Sequence, residues 1–151
     1  VVIIKKALLD NPKNGIPTML NYQTHIDKES MFNTPPVFPI YAMYQNLLWV
    51  KKSGGVIEME SRAKEKADLL YNEMDSNPKF EGTVAKEDRS HMNVCFRLLN
   101  DADSDKFMEQ TKSAGISGIK GHRSVGGFRA SIYNALPIES VQVLVDIMKK
   151  F

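Results

Sequence analysis

A chain of 151 residues, 42% hydrophobic and 25% charged, has ordinary globular composition and enough apolar material to bury a core, which excludes a disordered or low-complexity protein. Twenty basic side chains against eighteen acidic ones leave a formal charge of +2, too small for the long-range field that nucleic acid or an anionic membrane calls for. No apolar run approaches the roughly twenty residues of a membrane span and no signal-peptide pattern opens the chain, so the cytoplasm is the expected compartment.

The chain opens on Val1-Val2-Ile3-Ile4, a continuous apolar run of the kind found in strands covered on both faces within a larger sheet. Its neighbouring strands would have to come from residues outside this sequence, and no methionine precedes it. The expectation is the later part of a longer protein. Lys5 and Lys6 follow, then a turn-rich loop over 10–15. The stretch 16–39 carries Pro17, Pro35, Pro36 and Pro39 and reads as a long loop, with 17–22 a candidate short strand; loops of this length often carry function. A helix is predicted over 40–51, with Ile40, Tyr44, Leu47 and Leu48 on one face and Tyr41 and Trp49 beside them, stopping at Ser53-Gly54-Gly55.

A second helix is predicted over 57–74, with Ala63, Ala67, Leu70 and Met74 at helical spacing and a solvated Glu/Lys surface elsewhere. The pattern then becomes strand 82–86, strand 92–98, helix 103–114, strand 116–120, strand 128–133 and helix 137–151, a compact α+β unit. In the last helix Pro137 occupies the first turn, Glu139 sits near the positive end, Val141, Leu144, Val145 and Met148 form the apolar stripe, and Lys149 and Lys150 face the negative end. The single cysteine, Cys95, falls in the strand 92–98, where a buried thiol is the expected role. As a nucleophile it lacks a partner, since the nearest histidine, His91, is four residues away on an extended chain.

The stretch Gly121-His122-Arg123-Ser124-Val125-Gly126-Gly127-Phe128-Arg129-Ala130 is the most informative in the chain. Arginine presents a planar fork of donors matching carboxylate or phosphate oxygens two at a time, and histidine adds a donor or a proton, so two arginines suit a dianionic ligand. Alternation of Phe128, Ala130 and Ile132 with Arg129, Ser131 and Tyr133 places Arg129 on a strand and Arg123 on a loop. Beside this stands the plainer possibility of solvated surface arginines around an ordinary Gly-Gly turn. Asn33-Thr34 before Pro35-Pro36 is the second candidate, since an amide and a hydroxyl fixed by prolines can meet phosphate oxygens, although such residues are also common in loops. His25, His91 and His122 share no metal-ligand spacing, and no phosphate-binding glycine fingerprint precedes a helix.

The segment from Lys120 through Gly121-His122-Arg123-Ser124-Val125-Gly126-Gly127-Phe128-Arg129 to Ala135 resembles the carboxy-terminal signature of the phosphoserine aminotransferase family. Ile16-Pro17-Thr18-Met19-Leu20-Asn21-Tyr22, Ser30-Met31-Phe32-Asn33-Thr34-Pro35-Pro36, Arg89-Ser90 and Met92-Asn93-Val94 fit it in the same order, so the resemblance spans essentially the whole chain. Cys95 departs from it, standing where the family often has proline.

The resemblance implies an α/β protein, the carboxy-terminal part of a fold-type I, pyridoxal-phosphate-dependent transferase with an α+β small domain and a remnant of the large-domain sheet at its start. Residues 1–53 would be the end of the large cofactor-binding domain with the interdomain helix, and 54–151 the small domain. It implies a homodimer that transfers an amino group between L-glutamate and 3-phosphohydroxypyruvate, giving O-phosphoserine and 2-oxoglutarate in serine biosynthesis, with a related vitamin B6 substrate also open. It implies further that Asn33 and Thr34 reach the cofactor phosphate across the dimer, that His122 and Arg123 hold the distal anion, also across the dimer, and that Arg129 takes the α-carboxylate. The family's Schiff-base lysine would lie just upstream of Val1; Lys5 and Lys6 do not match it, so no catalytic residue is assigned in this chain and the chain alone is expected to be inactive.

Two other classes remain for comparison. One is a stand-alone small-anion-binding or regulatory α+β domain without covalent chemistry. The other is a single-stranded RNA binder, which fails because the strand 92–98 offers only Phe96 for base stacking.

Overall fold

The computed structural model describes residues 1–9 and 15–151, so the loop expected over 10–15 lies outside the described residues apart from Gly15. Two compact units divide the chain, Val1–Leu48 and Trp49–Phe151.

In the first unit Pro17 starts a 3-10 turn, Thr18–Leu20, closed by Leu20 N–H on the Pro17 carbonyl at 2.9 Å. Asn21 then caps α1, Tyr22–Asp27, its side-chain oxygen accepting from Gln23 N–H at 3.0 Å. The strand expected over 17–22 is therefore replaced by turn and helix, because an asparagine at an N-cap position overrides the extended preference of its neighbours. The strand expected at Val1 to Ile4 also does not form. A strand exists through hydrogen bonds to a partner, and among the described residues none lies alongside it; Val1, Val2 and Ile3 are exposed. Helix α2, Val37–Lys52, begins in this unit, covers the predicted 40–51, and has no buried residue.

The second unit is a three-stranded antiparallel sheet with helices packed on one face. Helix α3, Gly55–Ser76, contains the predicted stripe and buries Met59, Ala63, Ala67, Leu70 and Met74. Strand β1, Phe80–Gly82, pairs with β2, Asn93–Leu98, and β2 pairs with β3, Phe128–Ser131. Helix α4, Ser104–Ser113, and α5, Ile138–Lys150, complete the layer; α5 buries the predicted Val141, Leu144, Val145 and Met148. Pro137 stands at the N-cap of α5, one residue outside its first turn.

Four further expectations need correction. The strand placed at 82–86 lies earlier, at Phe80–Gly82, and a 3-10 turn, Lys86–Asp88, follows it. The strand placed at 116–120 reduces to one bridge, Lys120 to Phe128, because Gly118 takes a left-handed φ of 71° that interrupts any ladder. β3 ends at Ser131 rather than at residue 133. Cys95 is half-buried rather than buried, because its position in β2 turns it to the face opposite Val94 and Phe96.

Aromatic side chains fill the core. Phe107 of α4 is fully buried and meets Phe80, Phe96, Phe128 and Phe151 edge to face, at centroid distances of 5.3, 6.2, 5.0 and 5.2 Å. Lys66 is buried too, against the expectation that the lysines of α3 are solvated. It sits in the apolar row beside Ala63 and Ala67, and its ammonium donates to the carbonyls of Tyr133 at 2.6 Å and Leu136 at 2.9 Å, tying α3 to the turn after β3. Burial, followed by the nearby charge of Arg62, pushes the Lys66 pKa down.

The approach to β2 is held by charge. Arg89 grips Asp75 with two parallel bonds of 2.9 and 2.7 Å, lies 4.5 Å from the Tyr71 ring centroid, and shares Asp75 with Lys86 at 2.9 Å. The hydrogen bond from Arg89, helped by Lys86, holds the Asp75 carboxyl at about 2. A carboxyl depressed in the fold stabilises it above the unfolded value, and that contribution disappears as pH falls from about 4 to about 2. Arg89→Met is expected to cost on the order of 1 kcal/mol at pH 7 after solvent screening of the partly exposed pair. The difference in Tm between variant and parent should shrink as pH falls through that window; a constant difference would place the loss in packing alone.

Candidate functional site

The outer face of the sheet carries polar side chains from all three strands. Alternation along β3 buries Phe128, Ala130 and Ile132 and exposes Arg129, Ser131 and Tyr133, as the sequence pattern predicts. The register sets Arg129 directly opposite Cys95 and Ser131 opposite Asn93. At the other side of the face Glu81 and Arg97 form a register pair joined by an ion pair of 2.6 Å.

His122 and Arg123 lie on an exposed loop whose neck is fixed by backbone. Gly121 N–H donates to the Gly127 carbonyl at 2.8 Å and Arg129 N–H to the Ile119 carbonyl at 2.7 Å. Inside the loop the His122 carbonyl accepts from Val125 N–H at 3.0 Å and Gly126 N–H at 2.8 Å. The neck requires glycine: a Cβ on Gly121 would collide with the Gly126 carbonyl oxygen, and one on Gly127, at φ 60°, would lie 2.6 Å from the Phe96 carbonyl oxygen. His122 Nδ1 accepts from Ser124 N–H at 3.3 Å and contacts Ser124 Oγ at 2.8 Å. With Nδ1 accepting from a backbone N–H, Nε2 is the ring nitrogen that carries a donor.

Charge pairing separates the arginines. The sequence holds five. Arg62 pairs with Glu58, Arg89 with Asp75 and Arg97 with Glu81, whereas Arg123 and Arg129 have no carboxylate or hydrogen-bond partner for their guanidinium groups among the described residues. The two arginines singled out by the sequence are thus the two whose donors are left free among the described residues.

Beside the outer edge of β3 a cavity of about 350 Å³ is lined by Arg129 and Ser131, with Ser117, Ile116, Val141 and Leu144 on its other walls. It includes Arg129 but neither His122 nor Arg123.

In the first unit Asn33 and Thr34 are exposed and precede α2 by a few residues. The Asn33 amide touches only the Met19 sulfur, at 3.9 Å, and the Thr34 hydroxyl has no partner among the described residues, so both have donors available to phosphate oxygens. The nearby amino end of the long helix α2 adds positive partial charge. This donor set fits the phosphate of pyridoxal phosphate.

Two structural features were not anticipated. Lys66 could have been noticed as a lysine within an apolar row. Asn93, whose side-chain oxygen accepts from Ser131 Oγ at 3.2 Å and Tyr133 OH at 3.3 Å, depends on a cross-strand register that one segment does not reveal. Among the described residues no helix is long and apolar enough to cross a membrane.

Comparison with known proteins bears on family and fold. The phosphoserine aminotransferase of Bacteroides thetaiotaomicron is 60% identical over 153 residues, spanning 99% of this chain and 43% of the relative. Among solved structures, the phosphoserine aminotransferase from Bacillus circulans subsp. alkalophilus superposes with a TM-score of 0.89 at 38% identity, covering 97% of this chain and 41% of that one. A phosphoserine aminotransferase from Trichomonas vaginalis with pyridoxal phosphate bound gives a TM-score of 0.86 at 38% identity, over 97% of this chain and 42% of that one. The fold is accordingly the α/β fold of these enzymes, and the chain spans less than half the length of the relatives it matches. The sequence pattern of the class-V aminotransferases extends over residues 1–144, which includes the strand of Arg129, the loop of Arg123 and the Asn33-Thr34 pair: the chain belongs to the class-V aminotransferase family.

Proposed function

We propose that this chain is the substrate-gripping, carboxy-terminal portion of a pyridoxal-phosphate-dependent phosphoserine aminotransferase. The reaction moves an amino group between L-glutamate and 3-phosphohydroxypyruvate, giving O-phosphoserine and 2-oxoglutarate. Residues 1–53 would close the cofactor-binding domain and 54–151 form the small domain. The observation that carries the proposal is the pair of arginines without carboxylate partners among the described residues, one on a strand and one on a glycine-necked loop. Both substrates carry an anion at each end, and such molecules need two separate cationic sites.

Arg129, on the rigid strand, would orient the α-carboxylate. Arg123 and His122 Nε2 would hold the distal carboxylate or phosphate, reaching it across a homodimer, and Asn33 and Thr34 would donate to the cofactor phosphate of the partner subunit. Pyridoxal phosphate, when bound, supplies the electron sink and carries the amino group between half-reactions. The chain's own residues bind and orient.

The test uses the full-length protein. Glutamate added to the cofactor-loaded enzyme is expected to produce the spectral shift of half-transamination; no shift would leave an anion-binding module without this chemistry. Arg129→Lys keeps the charge and loses the fork, and is expected to raise KM roughly tenfold or more for both amino-acid substrates. Arg123→Lys should act mainly on substrates with a distal anion. An equal loss with alanine, which has none, would overturn the division between the two arginines.

A further inference from the structure

The Asn93, Ser131 and Tyr133 side chains form a polar cluster on the same sheet face as Arg129, and hydrogen bonding within the cluster leaves part of it unused. Asn93 Oδ1 accepts from two hydroxyls, Ser131 Oγ at 3.2 Å and Tyr133 OH at 3.3 Å. The two N–H donors on Nδ2 have no partner among the described residues, although Asn93 is only partly exposed. Nδ2 is not among the buried polar atoms left without a partner, so its two donors are open to solvent and to a ligand on this face.

Position gives the free donors a use. Asn93 faces Ser131 in the register and so lies on the diagonal from Arg129, whose direct partner is Cys95. Diagonal neighbours on one face of an antiparallel pair lie roughly 7–8 Å apart, close enough for one long side chain and one short one to meet the same small ligand. Arg97, also on this face, is neutralised by Glu81, so Arg129 is the cation left free beside the amide.

We propose that Asn93 is a further substrate-binding residue, its Nδ2 donating to the carboxylate gripped by Arg129, with Ser131 and Tyr133 as positioning residues that fix which way the amide faces. This rests on the assignment of Arg129 to the α-carboxylate. A neutral donor beside the arginine adds a direction that charge alone does not supply: it selects the carboxylate orientation in which one oxygen lies toward β2. The two hydroxyls orient the amide by occupying its oxygen.

The experiment is steady-state kinetics of the full-length, cofactor-loaded enzyme with glutamate, with Tm measured for every variant. Asn93→Ala is expected to raise KM roughly tenfold with kcat within about twofold, as for loss of one hydrogen bond to a charged group. Asn93→Asp keeps the size but replaces the donor with a negative charge, and is expected to raise KM about a hundredfold. Tyr133→Phe, at an exposed ring, should raise KM about threefold at unchanged Tm and serves if the Asn93 variants fail to fold.

KM within twofold of the parent for Asn93→Ala, or for Tyr133→Phe where Asn93→Ala does not fold, overturns the inference. So does an Asn93→Asp no worse than Asn93→Ala. If Arg129→Lys raises KM in the same series, only this inference falls. If Arg129→Lys leaves KM unchanged as well, the assignment of Arg129 falls with it.

Discussion

Gly121→Ala is expected to weaken substrate binding by about a hundredfold while leaving the thermal stability of the protein almost unchanged. The added methyl would run into the Gly126 carbonyl oxygen and lie 2.8 Å from that of Gly127, and both are backbone atoms that no side-chain rotation can move aside. The neck bond from Gly121 N–H to the Gly127 carbonyl must open for the methyl to fit. His122 and Arg123, the next two residues, are then displaced, and a misplacement of about 1 Å can cost on the order of a hundredfold in a positioned site. Stability is spared because residues 122–127 are exposed and contribute nothing to the core. KM of the full-length, cofactor-loaded protein for glutamate and for phosphoserine, the substrates proposed above, read beside a melting curve, decides the matter. Unchanged KM values would mean that closure of the neck does not set the position of the loop. Gly127→Ala is expected to differ by also lowering Tm, since its methyl would press on the Phe96 carbonyl of the central strand, 2.6 Å away.

Phe107→Ala is expected to destabilise the protein by roughly 3–5 kcal/mol, the range for a large aromatic removed from a core that only partly closes around the gap. Phe107 is fully buried and its ring is the common partner of Phe80, Phe96, Phe128 and Phe151. Its loss removes four edge-to-face contacts as well as the transfer free energy of the side chain. Against a typical domain stability of about 5–15 kcal/mol this is a large fraction. The midpoint of urea unfolding measures it, and Phe107→Leu should recover much of the loss by refilling volume. A loss below about 1 kcal/mol would show that the aromatic cluster is not the centre of the core. Because Phe128 is the residue before Arg129 on β3, the variant should also raise KM through a loosened strand.

The parts that were legible in the sequence are those whose cause is local. α3 and α5 announce themselves by apolar residues three and four apart, the end of α2 by Ser53-Gly54-Gly55 and the start of α5 by Pro137. Alternation over 128–133 placed Arg129 outward, and so it stands. β1 has only three residues, fewer than two periods of alternation, and was placed too late in the chain. The run Val1 to Ile4 shows the limit in another form: an apolar run carries extended preference, but a strand forms only through hydrogen bonds to a second segment, and none of the described residues supplies them. Lys66 was placed among the solvated lysines because its reason for burial, the carbonyls of Tyr133 and Leu136, lies 67 and 70 residues further on. The candidate site divides in the same way. His122, Arg123 and Arg129 fall within eight consecutive residues and were visible together. Asn93 meets Ser131 and Tyr133 from 38 and 40 residues away, across a register that only the folded sheet supplies.

The bond between Gly121 and Gly127 has a consequence for how such a protein can change. A loop tied off at its base is a cassette: the five residues 122–126 can be exchanged without disturbing the strand that carries Arg129, provided both neck glycines are kept. If Arg123 holds the distal group and Arg129 the α-carboxylate, as proposed, preference for phosphate against carboxylate could be altered by grafting a different five-residue insert, while the recognition common to all amino acids stays anchored in the sheet. Inheritance of the fold and diversification of the substrate would be written in separate stretches of chain, a few residues apart.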